Sequence, residues 1–344
     1  VEDVMGRKVS LSLPASRIVL GFYPEDYLAV AGEGGAERLV GMSLGWFMKS
    51  RPAIWSLYVA SQPQLAKVSD LGNVQDQSFS IEKTLAVKPD LVILAKWQYE
   101  ALSADLPRLE QAGIPVVVID YNAQTLAQHM ASTLLLGKLT GQEARARKMA
   151  DEYKAKIDTI TSRIAAAKRT PPRVYIELGD KGPAEYSYTY GKDMWGAMAL
   201  LAGGDNVAAP FVDRWGPIHP EQLLASKPEV ILMAGYESVS SAVAMQVGRD
   251  VSAETVRQRL QGFADRPGWS ELPAVKEGRL YAVYHGATRS IMDAALIEFM
   301  AKALYPDLFQ DLDPLATYQA FYQHYLPIRP QGTFMLGIKQ DDAS

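Results

Sequence analysis

Short apolar, largely β-branched runs recur along the chain, separated by stretches with helical spacing. The runs Arg17–Gly21, Arg38–Met42, Leu91–Ala95, Val116–Tyr121, Arg173–Leu178, Val230–Ala234 and Leu280–Tyr284 are predicted strands. Most are apolar nearly throughout rather than alternating, as expected of parallel strands covered on both faces. Helical patterns lie between them at Asp26–Gly32, Ser80–Lys88, Ala101–Ala112, Lys192–Ala202, Glu221–Ser226 and Glu254–Gln261. Strand and helix in alternation predict an α/β fold with mostly parallel sheets.

The middle of the chain breaks this rhythm. From Leu126 to about Lys168 there is no strand signal and no proline, and glycine occurs only as Gly137 and Gly141. Met149, Tyr153, Ile157, Ile160 and Ile164 form one apolar stripe among charged residues, which predicts a long amphipathic helix. Gly141 to Lys168 would span about 40 Å at 1.5 Å per residue. Pro171 and Pro172 then end it. This suggests residues 1–125 as one lobe, 126–168 as a connecting helical region, and 169–344 as a second lobe with C-terminal helices. The alternative is a core helix inside one large domain.

The two halves repeat. SIEKTLAVKPDLVILA (Ser80–Ala95) aligns without gaps on HPEQLLASKPEVILMA (His219–Ala234), pairing Glu82 with Glu221 and Lys88-Pro89 with Lys227-Pro228. A weaker echo pairs Asp26–Gly41 with Asp193–Ala208. Two matched α/β units on either side of a long helix predict two Rossmann-like lobes joined by that helix.

Composition narrows the classes. A length of 344 residues suits about two domains. With 35 Lys+Arg against 39 Asp+Glu the net charge is −4, which argues against nucleic acid as a partner. The absence of cysteine excludes disulfides, zinc–thiolate and iron–sulfur sites and a cysteine nucleophile. No apolar window reaches membrane-spanning length. The first residue is Val1, without a signal-like leader, so a mature chain with its signal peptide removed is expected.

The opening DVMGRKVSLSLPASRIV (Asp3–Val19), the repeated Glu-helix–Lys-Pro–strand unit, ALLAGGDNVA (Ala199–Ala208) and the late helix Met292–Tyr305 before Pro306-Asp307 together resemble a known family. It is the class III, helical-backbone periplasmic binding proteins of ABC importers for ferric siderophores, heme and vitamin B12. Departures are the Ser-Leu before Pro14 and an insert at Leu44–Gly72. The resemblance implies two lobes facing across a cleft, a long helix limiting hinge motion, a periplasmic location, a monomer, and a permease partner in the inner membrane. It also implies that Glu82 and Glu221, one per lobe, dock onto permease arginines. Read from the sequence alone, each is an acid in the first turn of a helix, where the dipole favours it.

In open parallel sheets ligands sit beyond the carboxyl ends of strands. In the first half those ends carry Tyr23, Trp46, Trp97 and Tyr121. In the second they carry Tyr186, Tyr188, Tyr190, Arg214, Trp215, Tyr236, His285 and Arg289. Aromatic rings there suit a flat or bulky solute, and arginines suit anionic oxygens. Tyr188, Tyr190 and His285 are weak candidates for direct metal contact; no His/Asp/Glu spacing marks a bare metal site, so a chelated metal fits better. A ferric siderophore is the expected ligand, with no covalent cofactor; heme or a corrinoid comes next, and an oxyanion such as molybdate or a nickel chelate after that. The first strand leads into GFYPEDY rather than G-x-G-x-x-G, and no P-loop, G-x-S-x-G or H-E-x-x-H occurs. A Rossmann-like enzyme remains the alternative from another class; catalysis is not expected.

Overall fold

A computed structural model describes residues 1–339; of these, the side chains of Trp46 and Ser50 are outside the description. The chain forms two compact units. Unit 1 contains Val1–Lys154 together with the returning segments Arg289–Ile291 and Phe321–Arg329. Unit 2 contains Ala155–Thr288, Met292–Ala320 and the described residues from Pro330.

Unit 1 is built on β1 (Ile18–Leu20), β2 (Leu39–Met42), β3 (Ser69–Asp70), β4 (Leu91–Ala95) and β5 (Val116–Ile119), in the order β3-β2-β1-β4-β5. All pairings are parallel, with Ile18 opposite Leu91 and Val92 opposite Val116. Val19, Val92, Leu94, Val116, Leu71, Ile81 and Leu109 pack into a common core. Each such side chain contributes about 1.5–3 kcal/mol by leaving water. The strand predicted over Val116–Tyr121 stops at Ile119, because Asp120 turns back to accept hydrogen bonds from the N–H groups of Asn122 and Ala123. The helix predicted over Ala101–Ala112 is two helices, Lys96–Ala101 and Leu106–Gln111. Pro107 has no N–H to donate, so it can only sit in a first turn, and a new helix starts there.

The Leu44–Gly72 insert folds into helices Leu44–Ser50 and Pro52–Ser61, a 3₁₀ turn and β3. It is tied down by a buried ion pair between Arg51 and Glu25, whose other oxygen accepts from Tyr58 (2.8 Å) and Tyr322 (2.7 Å).

The middle of the chain is helical. Leu126–Thr140 ends at Gly141 in the left-handed region (φ 69°), and Glu143–Ala167 then runs unbroken for 25 residues. The predicted stripe is buried at Met149, Tyr153, Ile157 and Ile160. No helix among the described residues is long and apolar enough to cross a membrane.

Unit 2 contains β6 (Arg173–Leu178), β7 (Thr189–Tyr190), β8 (Asp205–Asn206), β9 (Trp215–Gly216), β10 (Val230–Gly235), β11 (Gly248–Arg249), β12 (Leu280–Tyr284), β13 (Gly332–Thr333) and β14 (Met335–Gly337). The main sheet has the order β14-β12-β10-β6-β7-β9, with β8 also on β6. Its centre β12-β10-β6-β8 is parallel, while β14, β7 and β9 add antiparallel edges. Those edge strands are two or three residues long, too short for a sequence pattern. The helix predicted over Lys192–Ala202 begins only at Trp195, because Met194 has φ 50° and cannot be helical.

The repeat extends to backbone conformation and to the contacts of the strand-opening arginine. Lys88 and Lys227 both adopt positive φ (48° and 49°) before their prolines. Arg17, leading into β1, donates to the carbonyls of Lys88 and Val87; Arg173, opening β6, donates to that of Lys227. The acid after each proline, Asp90 or Glu229, accepts the backbone N–H of that arginine (3.0 Å in both).

Candidate functional site

In unit 1 the chain leaves β1 at Gly21, whose N–H bonds to the Ile93 carbonyl (2.8 Å) and whose carbonyl accepts from Gln98 Nε2 (3.0 Å). A Cβ at Gly21 would stand 2.3 Å from Gln98 Oε1 and 2.8 Å from Leu94 Cδ2, so a side chain there would displace the Gln98 amide from its bonds. The contact pins the Phe22–Tyr23 turn to the helix that carries Trp97. Phe22 meets Tyr23 and Trp97 edge-on at 4.9 and 5.5 Å between centroids, and Tyr23 meets Tyr121 at 5.1 Å.

Phe22 and Trp97 keep partial exposure, whereas Tyr23 and Tyr121 are buried beneath. Tyr23, itself in the left-handed region (φ 58°), donates its hydroxyl to Asn122 Oδ1 (2.6 Å), and Tyr121 shares a hydrogen bond with Thr133 (2.8 Å). Burial raises both phenols well above their usual range, and the neighbouring Asp120 adds to this for Tyr23. Neither is a phenolate. They are neutral supports.

Arg289 belongs to this same unit. Its guanidinium lies 5.7 Å from the centroid of Phe22. Asp26 fixes the segment by accepting from Ser290 Oγ and the Ile291 N–H, both at 2.9 Å. Unit 1 thus presents ring edges with a cation held beside them at its strand ends. Trp46 lies in the helix Leu44–Ser50, but its side chain is outside the described residues.

In unit 2 three strand ends meet at His285, directly after β12. Tyr236, after β10, packs on it at 5.0 Å, and Tyr190, in β7, at 6.0 Å. The Trp195 indole N–H donates to His285 Nδ1 (2.9 Å). An indole only donates, so the neutral imidazole carries its proton on Nε2. That tautomer offers a donor rather than a lone pair, which argues against His285 as a metal ligand. His285 and Tyr190 are buried and Tyr236 is half-buried.

Tyr188 and Trp215 are instead exposed, at 48% and 50%. Arg214 stacks on Trp215 (4.6 Å) and is held by Asp193 (2.9 Å). Tyr186 is half-buried and its hydroxyl accepts from Trp269 Nε1 (2.8 Å). Among the described residues no group of three or more His, Cys, Asp or Glu could hold a metal ion.

The predicted docking acids are both exposed at helix N-termini. Ser80 caps the helix Ile81–Ala86, and Glu82 pairs with Arg108 (2.7 Å). That guanidinium holds the Glu82 carboxyl below its ordinary range. His219 Nδ1 caps Pro220–Ser226 by accepting the Glu221 N–H (3.4 Å).

The structure therefore gathers Tyr23, Trp97, Tyr121 and Arg289 in unit 1, and Tyr190, Tyr236 and His285 in unit 2. Arg214 and Trp215 form a separate exposed pair. Sequence reasoning left out Trp195 and Gln98, which carry no local signal; Phe22 stands directly beyond β1 in the GFYPEDY loop and was read there, though not among the site residues.

Two α/β units with aromatic rings and arginines at their strand ends are suited to holding a solute. The chain belongs to the periplasmic binding protein family, whose model matches residues 53–284. A solved structure described as the TroA-like periplasmic binding protein FepB from Veillonella parvula is 30% identical, with a TM-score of 0.93 over 98% of this chain and 99% of that one. An uncharacterized ABC transporter substrate-binding lipoprotein, YvrC of Bacillus subtilis, is 26% identical over 71% of each chain. The vitamin B12-binding protein of Yersinia pestis is 26% identical over 66% of this chain and 74% of its own.

Proposed function

We propose that this protein captures a ferric chelate of the siderophore type outside the cytoplasm and delivers it to the permease of an ABC importer. The observation that carries the reading is the unit 1 cluster, in which partly exposed Phe22 and Trp97 stand beside a fixed Arg289. Rings supply dispersion to a bulky chelate, and a guanidinium supplies charge-assisted hydrogen bonds to catecholate or carboxylate oxygens. In unit 2, Arg214 on Trp215 repeats the same chemistry. Capture between two lobes, as the resemblance implies, is part of this proposal. The ABC partner is supported by the description of the Bacillus relative.

A corrinoid is the second reading, favoured by the Yersinia relative and by the ring edges alone. Titration of the ligand-free protein with ferric tris-catecholate, hemin and cyanocobalamin, followed by tryptophan fluorescence and Tm, separates them. The ferric catecholate is expected to quench fluorescence and raise Tm. Arg289→Ala should weaken its binding about tenfold, the size of one charge-assisted contact. A response to cyanocobalamin alone, unaffected by Arg289→Ala, would establish the corrinoid reading. No response to any of the three would overturn both.

A further inference from the structure

Glu177 lies near the end of β6 and is fully buried in the middle of the sheet. A buried carboxylate is costly unless it is paired and hydrogen-bonded on every side. Arg266 pairs with it through both terminal nitrogens (2.7 and 2.8 Å), Tyr175 donates its hydroxyl to it (2.8 Å), and the Ser187 N–H donates to its other oxygen (3.1 Å).

The other hydrogen bonds of Arg266 go to one place. Nε donates to the Pro183 carbonyl (2.8 Å), and Nη2 reaches those of Gly182 (3.1 Å) and Glu185 (2.9 Å). These carbonyls belong to the irregular loop between β6 and β7. Its ends are pinned to the sheet: Gly179 donates to the Ala234 carbonyl (2.8 Å), and Leu178 to that of Tyr188 (2.9 Å). Its middle has no such ladder; the guanidinium takes three of its carbonyls, beside the Trp269 bond to the Tyr186 hydroxyl (2.8 Å) and the Ser187–Asp180 and Lys181–Glu185 contacts within the loop. Tyr186 of the loop lies under Arg266, 4.4 Å from its ring centroid.

We propose that Arg266 is a positioning residue that holds the Gly179–Tyr188 loop as a preformed ligand platform, with Tyr188 as its exposed face and Glu177 as the buried counter-charge. The platform's purpose rests on the solute-binding reading above; its order does not.

The test has two arms. Arg266→Lys keeps a charge for Glu177 but cannot reproduce the planar fork. Glu177→Met with Arg266→Met removes both charges at similar volume, and so guards against a variant that fails only by stranding a buried ion. In the first arm, hydrogen–deuterium exchange of the ligand-free protein should speed up about tenfold or more at residues 180–188, with the amides of β6 and β10 unchanged. In the second arm, ferric tris-catecholate should dissociate about tenfold faster from both variants, measured well below the lowered Tm that the loss of these buried hydrogen bonds brings. Wild-type exchange in the loop of either folded variant overturns the proposal. A loosened loop with unchanged dissociation overturns the platform role. If the wild type does not bind the ferric catecholate, the proposed function fails by itself, and the exchange arm alone decides whether Arg266 orders the loop.

Discussion

At the residue scale, the polar groups inside each unit have their roles set by their partners. His129 is the clearest case. Fully buried in unit 1, it faces the Tyr121 carbonyl through Nε2 and the Tyr153 hydroxyl through Nδ1, both at 3.0 Å. A carbonyl only accepts, so Nε2 carries the proton and Nδ1 accepts from Tyr153. Burial lowers the imidazole from its ordinary 6.5 to about 4. The neutral form is therefore favoured by folding. Its stabilising contribution is complete above pH 6.5 and is lost as pH falls toward 4, because the unfolded chain takes up a proton that the folded one refuses. The full loss is about 3 kcal/mol. His129→Gln keeps a donor and an acceptor but cannot titrate. Its stability in urea should thus fall less than that of the wild type between pH 6.5 and 4, by up to about 3 kcal/mol. Parallel pH curves for the two proteins would show that His129 does not carry this dependence.

At the element scale, what was legible in the sequence is what burial makes periodic. Strands covered on both faces, such as Leu91–Ala95, Arg173–Leu178 and Leu280–Tyr284, match their predicted limits because nearly every position is apolar; in the second, Arg173 stands at the start and only Glu177 lies charged inside. The long helix was legible from its stripe. The two- and three-residue edge strands were not, because their positions are set by backbone pairing to β6 and β12 rather than by side-chain pattern.

The candidate site shows the same division. Aromatic residues after strands could be read directly, but the Gln98–Gly21 lock and the Arg266 fork join residues 77 and more than 80 apart in sequence. No local spacing encodes such contacts. The repeat was legible as letters, and the structure adds its backbone: both helices end through a lysine in the left-handed region, where a Cβ costs about 1 kcal/mol. Glycine relieves that strain at some cost in unfolded-chain entropy. Lys88→Gly and Lys227→Gly are each expected to raise the urea midpoint, by about 0.5 kcal/mol in stability. Arg17 and Arg173 bond to backbone carbonyls there, so those contacts survive the change. A lowered midpoint in both variants would mean that the lysine side chains contribute more than the strain they impose.

At the scale of the whole molecule, duplication is the organising fact, and it bears on the permease. Each unit contributes one Glu-helix unit, so the two exposed acids Glu82 and Glu221 arise from the same repeat. An acid that only served its helix dipole would matter slightly to stability and to nothing else. The Glu82–Arg108 pair is exposed on both sides, and such pairs contribute little. Removing either carboxylate should therefore leave Tm nearly unchanged. A pair of acids that sets docking register predicts a different pattern. Glu82→Ala and Glu221→Ala should each lower uptake by cells or permease-loaded vesicles several-fold, and the double variant should abolish it, while ferric-chelate affinity in solution stays at the wild-type value. Arg108→Ala sharpens the test, because it frees Glu82 without removing it. If docking uses that carboxylate, uptake in this variant should be kept or improved. Loss of chelate binding along with uptake would place the glutamates at the ligand instead, and wild-type uptake in the double variant would remove them from the docking surface.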